Sequence, residues 1–269
     1  MNWIMSDIFS TPSLKRFFSE IYNLLKQGNS EVFELWFEIS EIDFFKNFSE
    51  LELREFLERF DFISIQKGNY INYVVINKII FIIRCIQFLE LDVNQLSNLL
   101  NYDGFEALIQ EILSQNKYIT IKNFRFSDKS NLKYETSQKR YEIDVIGIYR
   151  SYILVIDAKE WKRKDSYAAM NKAANLQYQR VVALNKNPEI LSDLIQKRLG
   201  MSFNVRKRLP FILIPMMVTL EANWIKINEN SVPLVEIYNL NSFLQELPIN
   251  LQYFKTEKVS KIITQKQLL

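Results

Sequence analysis

The sequence predicts an α/β protein in which a mixed central β-sheet flanked by helices follows a mainly helical N-terminal domain. Apolar residues recur at helical spacing through most of the first hundred residues. Beyond residue 117, strand-like runs enclose two long helical patterns, and the net charge changes sign. We therefore expect domains at 1–100 and 101–250, followed by a C-terminal tail at 251–269.

The N-terminal domain combines helices with one hairpin. A Thr-Pro pair at 11–12 marks the start of the first helix, and Ser49 with Glu52 forms a capping-box pattern ahead of another. Residues 62–75 are two alternating β-type runs around a Lys-Gly-Asn turn, and the apolar stretch 76–90 predicts a buried helix. Helices followed by a small hairpin suggest a winged helix, with DNA contact and packing or dimerisation as its two candidate roles.

The second domain begins with a helix and continues as a sheet. An apolar stripe over 105–113 predicts a helix that packs against another element. Two helices are expected between the third and fourth strands, at about 166–185 and 188–199. The expected strands are 117–127, 139–148, 152–159, 211–219 and a short one at 233–238.

Composition excludes several kinds of chemistry. The chain contains no histidine, which removes Ser-His-Asp and Cys-His triads and histidine-ligated zinc. The lone cysteine, Cys85, cannot form an intramolecular disulfide, which fits a reducing, cytoplasmic location. No signal peptide is recognised, and the most apolar segment is interrupted by Lys78 and Arg84, so no membrane span is expected. Acid, base or metal chemistry must therefore use carboxylates, lysine or tyrosine.

Charge is distributed unevenly along the chain. Residues 1–116 hold 9 basic and 17 acidic residues, a net charge of −8, whereas residues 117–210 hold 20 and 9, a net charge of +11. Residues 211–269 are neutral overall. A local basic excess is typical of proteins that bind a phosphate backbone, and a solvated basic surface is the alternative.

The sequence YEIDVIGIYRSYILVIDAKEW, residues 141–161, predicts a strand pair that brings charges together. If Arg150 and Ser151 form a two-residue loop, counting back along the strands sets Asp144 opposite Asp157, with β-carbons about 5 Å apart. Lys159 emerges on the same side as Asp157, since side chains alternate along a strand. Two adjacent carboxylates repel unless a proton or cation lies between them, and a divalent metal satisfies both.

These residues resemble a known nuclease motif. Asp144, followed after the apolar run YILVI by Asp157-Ala158-Lys159, is similar to the core of the PD-(D/E)XK superfamily, and most similar to its Mrr and archaeal Holliday-junction-resolvase-like branch. The resemblance covers roughly residues 101–248 and implies a restriction-endonuclease-like fold. It departs where Ile143 replaces the proline of the motif, a position that varies widely in the superfamily.

The resemblance also implies a third carboxylate, because an acidic residue on the first helix often joins the site in this branch. GFEALIQEIL looks like that helix and has Glu106 at the matching position. The alternative is a capping box in which Glu106 bonds back to Asp103 at the helix start. Glu111, farther round the helix toward solvent, is the second choice for this ligand.

Further residues follow from the same resemblance. Gln177 lies on the crossover helix, where family members often carry a glutamine that supports the site; a satisfied core amide is the alternative, and the related Gln-x-x-x-Tyr pattern fails at Val181. Two basic runs are candidates for phosphate contacts, with solvated surface as the alternative. They comprise Trp161, Lys162, Arg163 and Lys164, and Arg206, Lys207 and Arg208.

The resemblance implies metal-dependent hydrolysis of DNA. Asp144, Asp157, Glu106 and the main-chain carbonyl of Ala158 would hold Mg²⁺ or Mn²⁺, which activates the attacking water, and Lys159 would position that water. A homodimer would suit double-strand cleavage. The alternative is a DNA-binding or regulatory protein that retains the nuclease fold without catalysis.

Overall fold

The computed structural model divides the chain into two compact units, Met1–Leu108 and Ile109–Leu269. The division falls within a helix, whereas the second domain is predicted to begin at residue 101. The structure describes residues 8–88, 95, 98–128, 140–159, 167–199, 209–220 and 226–262.

The first unit combines helices with a three-stranded antiparallel sheet in the order β1-β3-β2. Its helical content and its hairpin were predicted from the sequence. Its elements are α1 (Thr11–Gln27), β1 (Glu34–Glu38), α2 (Glu50–Leu57), β2 (Ile63–Lys67), β3 (Asn72–Asn77) and α3 (Lys78–Phe88).

Helix starts in the first unit follow local capping chemistry. The side chain of Ser10 accepts from the backbone N–H of Ser13 at the start of α1, with Pro12 in the first turn. At the start of α2, Ser49 and Glu52 accept from each other's backbone N–H, which completes the predicted capping box. Phenylalanines fill the core between these helices; the rings of Phe17 and Phe56 meet edge to face at 5.0 Å.

Strand β1 was not expected from the sequence. Its five residues, ELWFE, carry a glutamate at each end, and only Leu35 among them is buried. The strand forms because it pairs with β3 in a register from Glu34 opposite Asn77 to Glu38 opposite Tyr73. A partner this distant in sequence leaves no local turn signal, so periodicity alone could not reveal the pairing.

The second unit has the predicted mixed sheet flanked by helices, in the order β4-β5-β6-β7-β8, with β9 paired to β7. Helix α4 spans the division between the units. The elements are α4 (Tyr102–Gln115), β4 (Ile119–Ser127), β5 (Arg140–Tyr149), β6 (Tyr152–Lys159), α5 (Tyr167–Lys186), α6 (Pro188–Leu199), β7 (Phe211–Thr219), β8 (Leu234–Glu236), α7 (Leu240–Asn250) and β9 (Glu257–Val259).

Strand β7 changes partner along its length. It pairs antiparallel with β9 over 211–213 and parallel with β8 over 217–219. Pro215 lies between these two segments. Because proline has no N–H to donate, a position without a ladder partner on one side accommodates it without losing a hydrogen bond.

Two close approaches position the central hairpin. A β-carbon on Gly147 would lie 3.2 Å from the Tyr118 ring and 3.3 Å from the Leu113 side chain, so a glycine lets these residues pack closely on β5. On the other side of the same hairpin, Ile153 and Val155 belong to a buried cluster with residues of α5 and α6 such as Leu184. None of the helices in the described ranges is both long and apolar enough to span a bilayer.

We expect Ser49→Ala to destabilise the first unit by about 1 kcal/mol, because it removes the acceptor for the Glu52 N–H at the start of α2. The loss is measurable as a lower urea midpoint and as faster amide exchange over 50–57. Ser40→Ala is the matched control, since the Ser40 hydroxyl donates only to the neighbouring side chain of Glu38 on the surface. Equal effects of the two substitutions would contradict the capping argument.

Candidate active site

The predicted register of the central hairpin is present. The loop is Arg150-Ser151, and β5 pairs with β6 from Tyr149 opposite Tyr152 to Val145 opposite Ile156. The next step of this register sets Asp144 opposite Asp157. The backbone pairs stop one step short of that position, so the two strands separate where the carboxylates lie.

Strand β5 is also irregular at Asp144 toward its other neighbour. Its pairing with β4 runs from Ile119 to Ser127 but omits Asn123, the residue that would oppose Asp144. Asn123 has a φ of 52°, a left-handed conformation that asparagine tolerates better than most residues. Ile143 and Ile146 both join the buried cluster, although residues three apart on a regular strand face opposite sides. The alternation therefore shifts by one residue around Asp144.

The Asp144 carboxylate occupies the place of a ladder acceptor. Its Oδ2 accepts a hydrogen bond from the backbone N–H of Ala158 at 2.7 Å. Asp144 is 7% exposed and Ala158 fully buried. Because the N–H and C=O of one strand residue point to the same side, the Ala158 carbonyl also faces β5. Asp144 is thereby held against the Asp157-Ala158-Lys159 segment.

Asp157 is buried between two cations. Arg180 Nη1 of α5 lies 2.6 Å from Oδ1, and Lys159 Nζ lies 3.1 Å from Oδ2. The Oδ2 atom is buried and accepts no hydrogen bond from the described residues, so its contact with Lys159 is an ion pair without hydrogen-bond geometry. A buried carboxylate needs such compensation, because an unpaired charge in the interior costs several kcal/mol.

Gln177 connects helix α5 to the central strand. It is fully buried, its Nε2 donates to the Val155 carbonyl at 2.6 Å, and its Oε1 accepts from Arg180 Nη1 at 2.8 Å. Both ends of the amide are therefore satisfied, as the core-amide alternative requires. The same two bonds fix the position of Arg180 beside Asp157.

Arg180 was not predicted from the sequence. It lies three residues after Gln177, about 60° away around the helix, and so borders the buried stripe that includes Ala174, Val181 and Leu184. The sequence offered one signal for Arg180: it is a basic residue at the edge of an apolar stripe, one turn from the buried amide of Gln177. Without the fold, that position could not be distinguished from a lysine or arginine whose stem lies along the surface.

Glu106 is buried on α4, at 1% exposure, and falls in the first unit, whereas Asp144, Asp157, Lys159 and Gln177 fall in the second. The cap of this helix is Asn101, whose Oδ1 accepts from the Gly104 N–H at 2.8 Å. Asp103 is the second residue of this helix, so it does not occupy the N-cap position from which a capping box begins. Glu111 is partly exposed and accepts from Gln115.

The two predicted basic runs lie outside the described residues. They are Trp161, Lys162, Arg163 and Lys164, and Arg206, Lys207 and Arg208. Their expected phosphate contacts therefore stay a prediction.

The oxygen donors of the second unit suit a hard divalent ion. Two carboxylates and the Ala158 carbonyl lie around the end of the β5–β6 pair, and Asp157 Oδ2 is a buried oxygen that accepts no hydrogen bond from the described residues. Across the part of the chain that the structure describes, no three histidine, cysteine, aspartate or glutamate side chains form a metal-binding group. Mg²⁺ is commonly held by one or two carboxylates together with waters and substrate phosphates, so two carboxylates fit its chemistry.

Comparison with known proteins identifies one related domain. The family model for the nuclease-related domain, NERD, matches residues 102–210. No curated protein matches the chain. Protein VC1899 from Vibrio cholerae is similar at 13% identity and a TM-score of 0.28 over 90% of this chain and 51% of that structure, so the chain spans about half of its length.

We expect Asp144→Ala to lower the free energy of unfolding by about 1–3 kcal/mol, because it leaves the buried Ala158 N–H without its acceptor. Asp144→Asn retains an oxygen acceptor and should cost less. Urea titrations of the three proteins measure the difference.

Glu142→Ala is the matched control for Asp144→Ala. Glu142 lies two residues away on the same strand, and its carboxylate pairs with Arg125 on the surface. Exposed ion pairs contribute only about 0–1 kcal/mol, so this control should change stability little. If Asp144→Ala costs no more than the control, the hydrogen bond to Ala158 does not hold the strands together.

Proposed function

We propose that this protein is a metal-dependent endonuclease that hydrolyses DNA phosphodiester bonds. The hydrogen bond from the Ala158 N–H to Asp144 carries the proposal, because it gathers the separate parts of an Asp…Asp-x-Lys motif at one end of the sheet. The match of residues 102–210 to the nuclease-related domain supports the same function. Membership of the Mrr and archaeal Holliday-junction-resolvase-like branch is the finer part of the proposal.

Asp144, Asp157 and the Ala158 carbonyl would hold the divalent ion. When bound, Mg²⁺ or Mn²⁺ supplies Lewis acidity and lowers the pKa of coordinated water. The protein fixes the two carboxylates before binding, since Asp144 is tied to Ala158 and Asp157 to α5. Glu106 stays a candidate third ligand from α4.

Lys159 would act on the substrate in this proposal. Its ammonium group lies 3.1 Å from Asp157, while 30% of its side chain is exposed. The group therefore reaches both the carboxylate and the solvent side of the site. There it would orient the attacking water and offset the negative charge that develops on the phosphate.

The basic segment of the chain is consistent with a DNA substrate. Residues 117–210, which contain all of β5, β6 and α5, carry a net charge of +11. Such an excess attracts a phosphate backbone and releases condensed counterions on binding. A carboxylate-held metal also explains how a chain without histidine could hydrolyse DNA.

A DNA-binding or regulatory protein without nuclease activity is the second candidate. The observation that favours it is that no group of three metal-binding side chains occurs within the described ranges. In that case Lys159 and Arg180 would serve as permanent counter-ions of Asp157. Retention of DNA binding without metal-dependent cleavage is the expected behaviour of such a protein.

We expect the purified 269-residue chain to cleave plasmid, single-stranded or branched DNA with Mg²⁺ or Mn²⁺, and to lose activity in EDTA. Asp157→Asn and Lys159→Ala should each lower the cleavage rate on the order of 100-fold or more, because the first weakens a proposed metal ligand and the second removes the ammonium group that would orient the attacking water. Gel-resolved rates at fixed metal concentration measure the effect.

Lys197→Ala is the matched control for Lys159→Ala, since Lys197 lies on α6 and its ion pair among the described residues is with the exposed Asp193. It should retain the parent rate within about twofold. Circular dichroism of each variant verifies that the fold is retained. DNA binding without metal-dependent cleavage of any of these substrates would reject the endonuclease in favour of the regulatory protein.

A further inference from the structure

Arg180 lies in the candidate site, but it is not part of the Asp…Asp-x-Lys motif from which the site was predicted. Nη1 is the only one of its three nitrogens that hydrogen-bonds within the described residues. It donates to Asp157 Oδ1 at 2.6 Å and to Gln177 Oε1 at 2.8 Å. These two bonds use both hydrogens of Nη1.

The remaining donors of Arg180 have no partner within the part of the chain that the structure describes. A guanidinium has five N–H groups in a planar fork, so Nε and Nη2 hold three that bond to none of the described residues. The side chain is 15% exposed, so the group is not sealed in the core. A fixed guanidinium matches the geometry of a phosphate better than a flexible ammonium would.

Two positively charged side chains of the described residues, Lys159 and Arg180, lie beside Asp157. A divalent cation entering this site meets two cations beside its ligands, and their repulsion weakens its binding. A phosphodiester brings a negative charge that attracts both the guanidinium and the metal. Ion and phosphate should therefore each strengthen the binding of the other.

We propose that Arg180 changes partners during binding: it holds Asp157 in the free protein and donates to a phosphate oxygen of the nucleic acid in the complex. This inference rests on the proposed function, because it assumes a phosphodiester in the same site. Arg180 then serves as a phosphate ligand and links metal binding to substrate binding. A purely structural ion pair with Asp157 is the competing explanation.

The two explanations differ in whether Arg180→Gln shifts the Mn²⁺ affinity and the DNA affinity in opposite directions. If Arg180 is an exchangeable counter-ion, Arg180→Gln removes a positive charge beside the metal ligands and should tighten Mn²⁺ binding on the order of tenfold without DNA. The same substitution should weaken DNA binding and lower the salt dependence, the slope of log K against log salt concentration, by about one. A purely structural ion pair would leave the DNA affinity unchanged, or weaken both affinities if the local geometry is lost.

The experiment uses the full chain with four proteins: the parent, Arg180→Gln, Arg180→Lys and Lys186→Gln. Lys186 lies in the last turn of the same helix and is exposed, so its substitution is a control for the loss of one positive charge. Mn²⁺ affinity without DNA is measured by electron paramagnetic resonance. Affinity for a phosphorothioate-substituted duplex that resists hydrolysis is measured over a range of salt concentrations with Mn²⁺ present.

Opposite shifts in Arg180→Gln, with Lys186→Gln like the parent, would support the proposal. Arg180→Lys should keep the parent Mn²⁺ affinity because it keeps the charge, and bind DNA more weakly than the parent because it loses the planar fork. If Arg180→Gln weakens both affinities or leaves the DNA affinity unchanged while the parent binds Mn²⁺ and cleaves DNA, this inference fails and the proposed function stands. A parent that binds neither Mn²⁺ nor DNA overturns both.

Discussion

The candidate site depends on one hydrogen bond of a β-ladder in which a side-chain oxygen takes the place of a backbone carbonyl. Where β5 and β6 would continue their backbone pairing, the Asp144 carboxylate accepts from the Ala158 N–H instead. The backbone on both sides is adapted to this change, because the β4–β5 pairing omits Asn123 and the side-chain alternation shifts around Asp144. A charged side chain is thereby fixed in the interior of the sheet at the point where the strands separate.

Helix α5 supplies the complementary charge. Gln177 attaches it to the carbonyl of Val155, and Arg180 pairs with Asp157 two residues farther along the same strand. The helix and the strand therefore share a short polar network beside the apolar contacts of α5 and α6 with the sheet. Such networks are costly when incomplete, so the geometry of Asp157 and that of α5 depend on each other.

Periodicity and turn chemistry predicted the sheet of the second unit and the register of its central hairpin, because alternating apolar runs and a two-residue loop are local features. Features that depend on distant contacts were not accessible in the same way. Strand β1 is defined by its pairing with β3, and Arg180 acquires its role only when α5 packs on β6. The sequence left open a capping box between Asp103 and Glu106, whereas Asn101, two residues earlier, caps α4 in the structure.

Pro215 limits how far β9 can pair along the edge of β7. It separates the β9 pairing at 211–213 from the β8 pairing at 217–219, and Met217 is also the partner of Asp157 on β6. Because it has no N–H, Pro215 cannot donate the ladder hydrogen bond that would extend the β9 pairing along β7. Strand β9 therefore pairs with the end of β7 that is remote from Met217, the partner of Asp157.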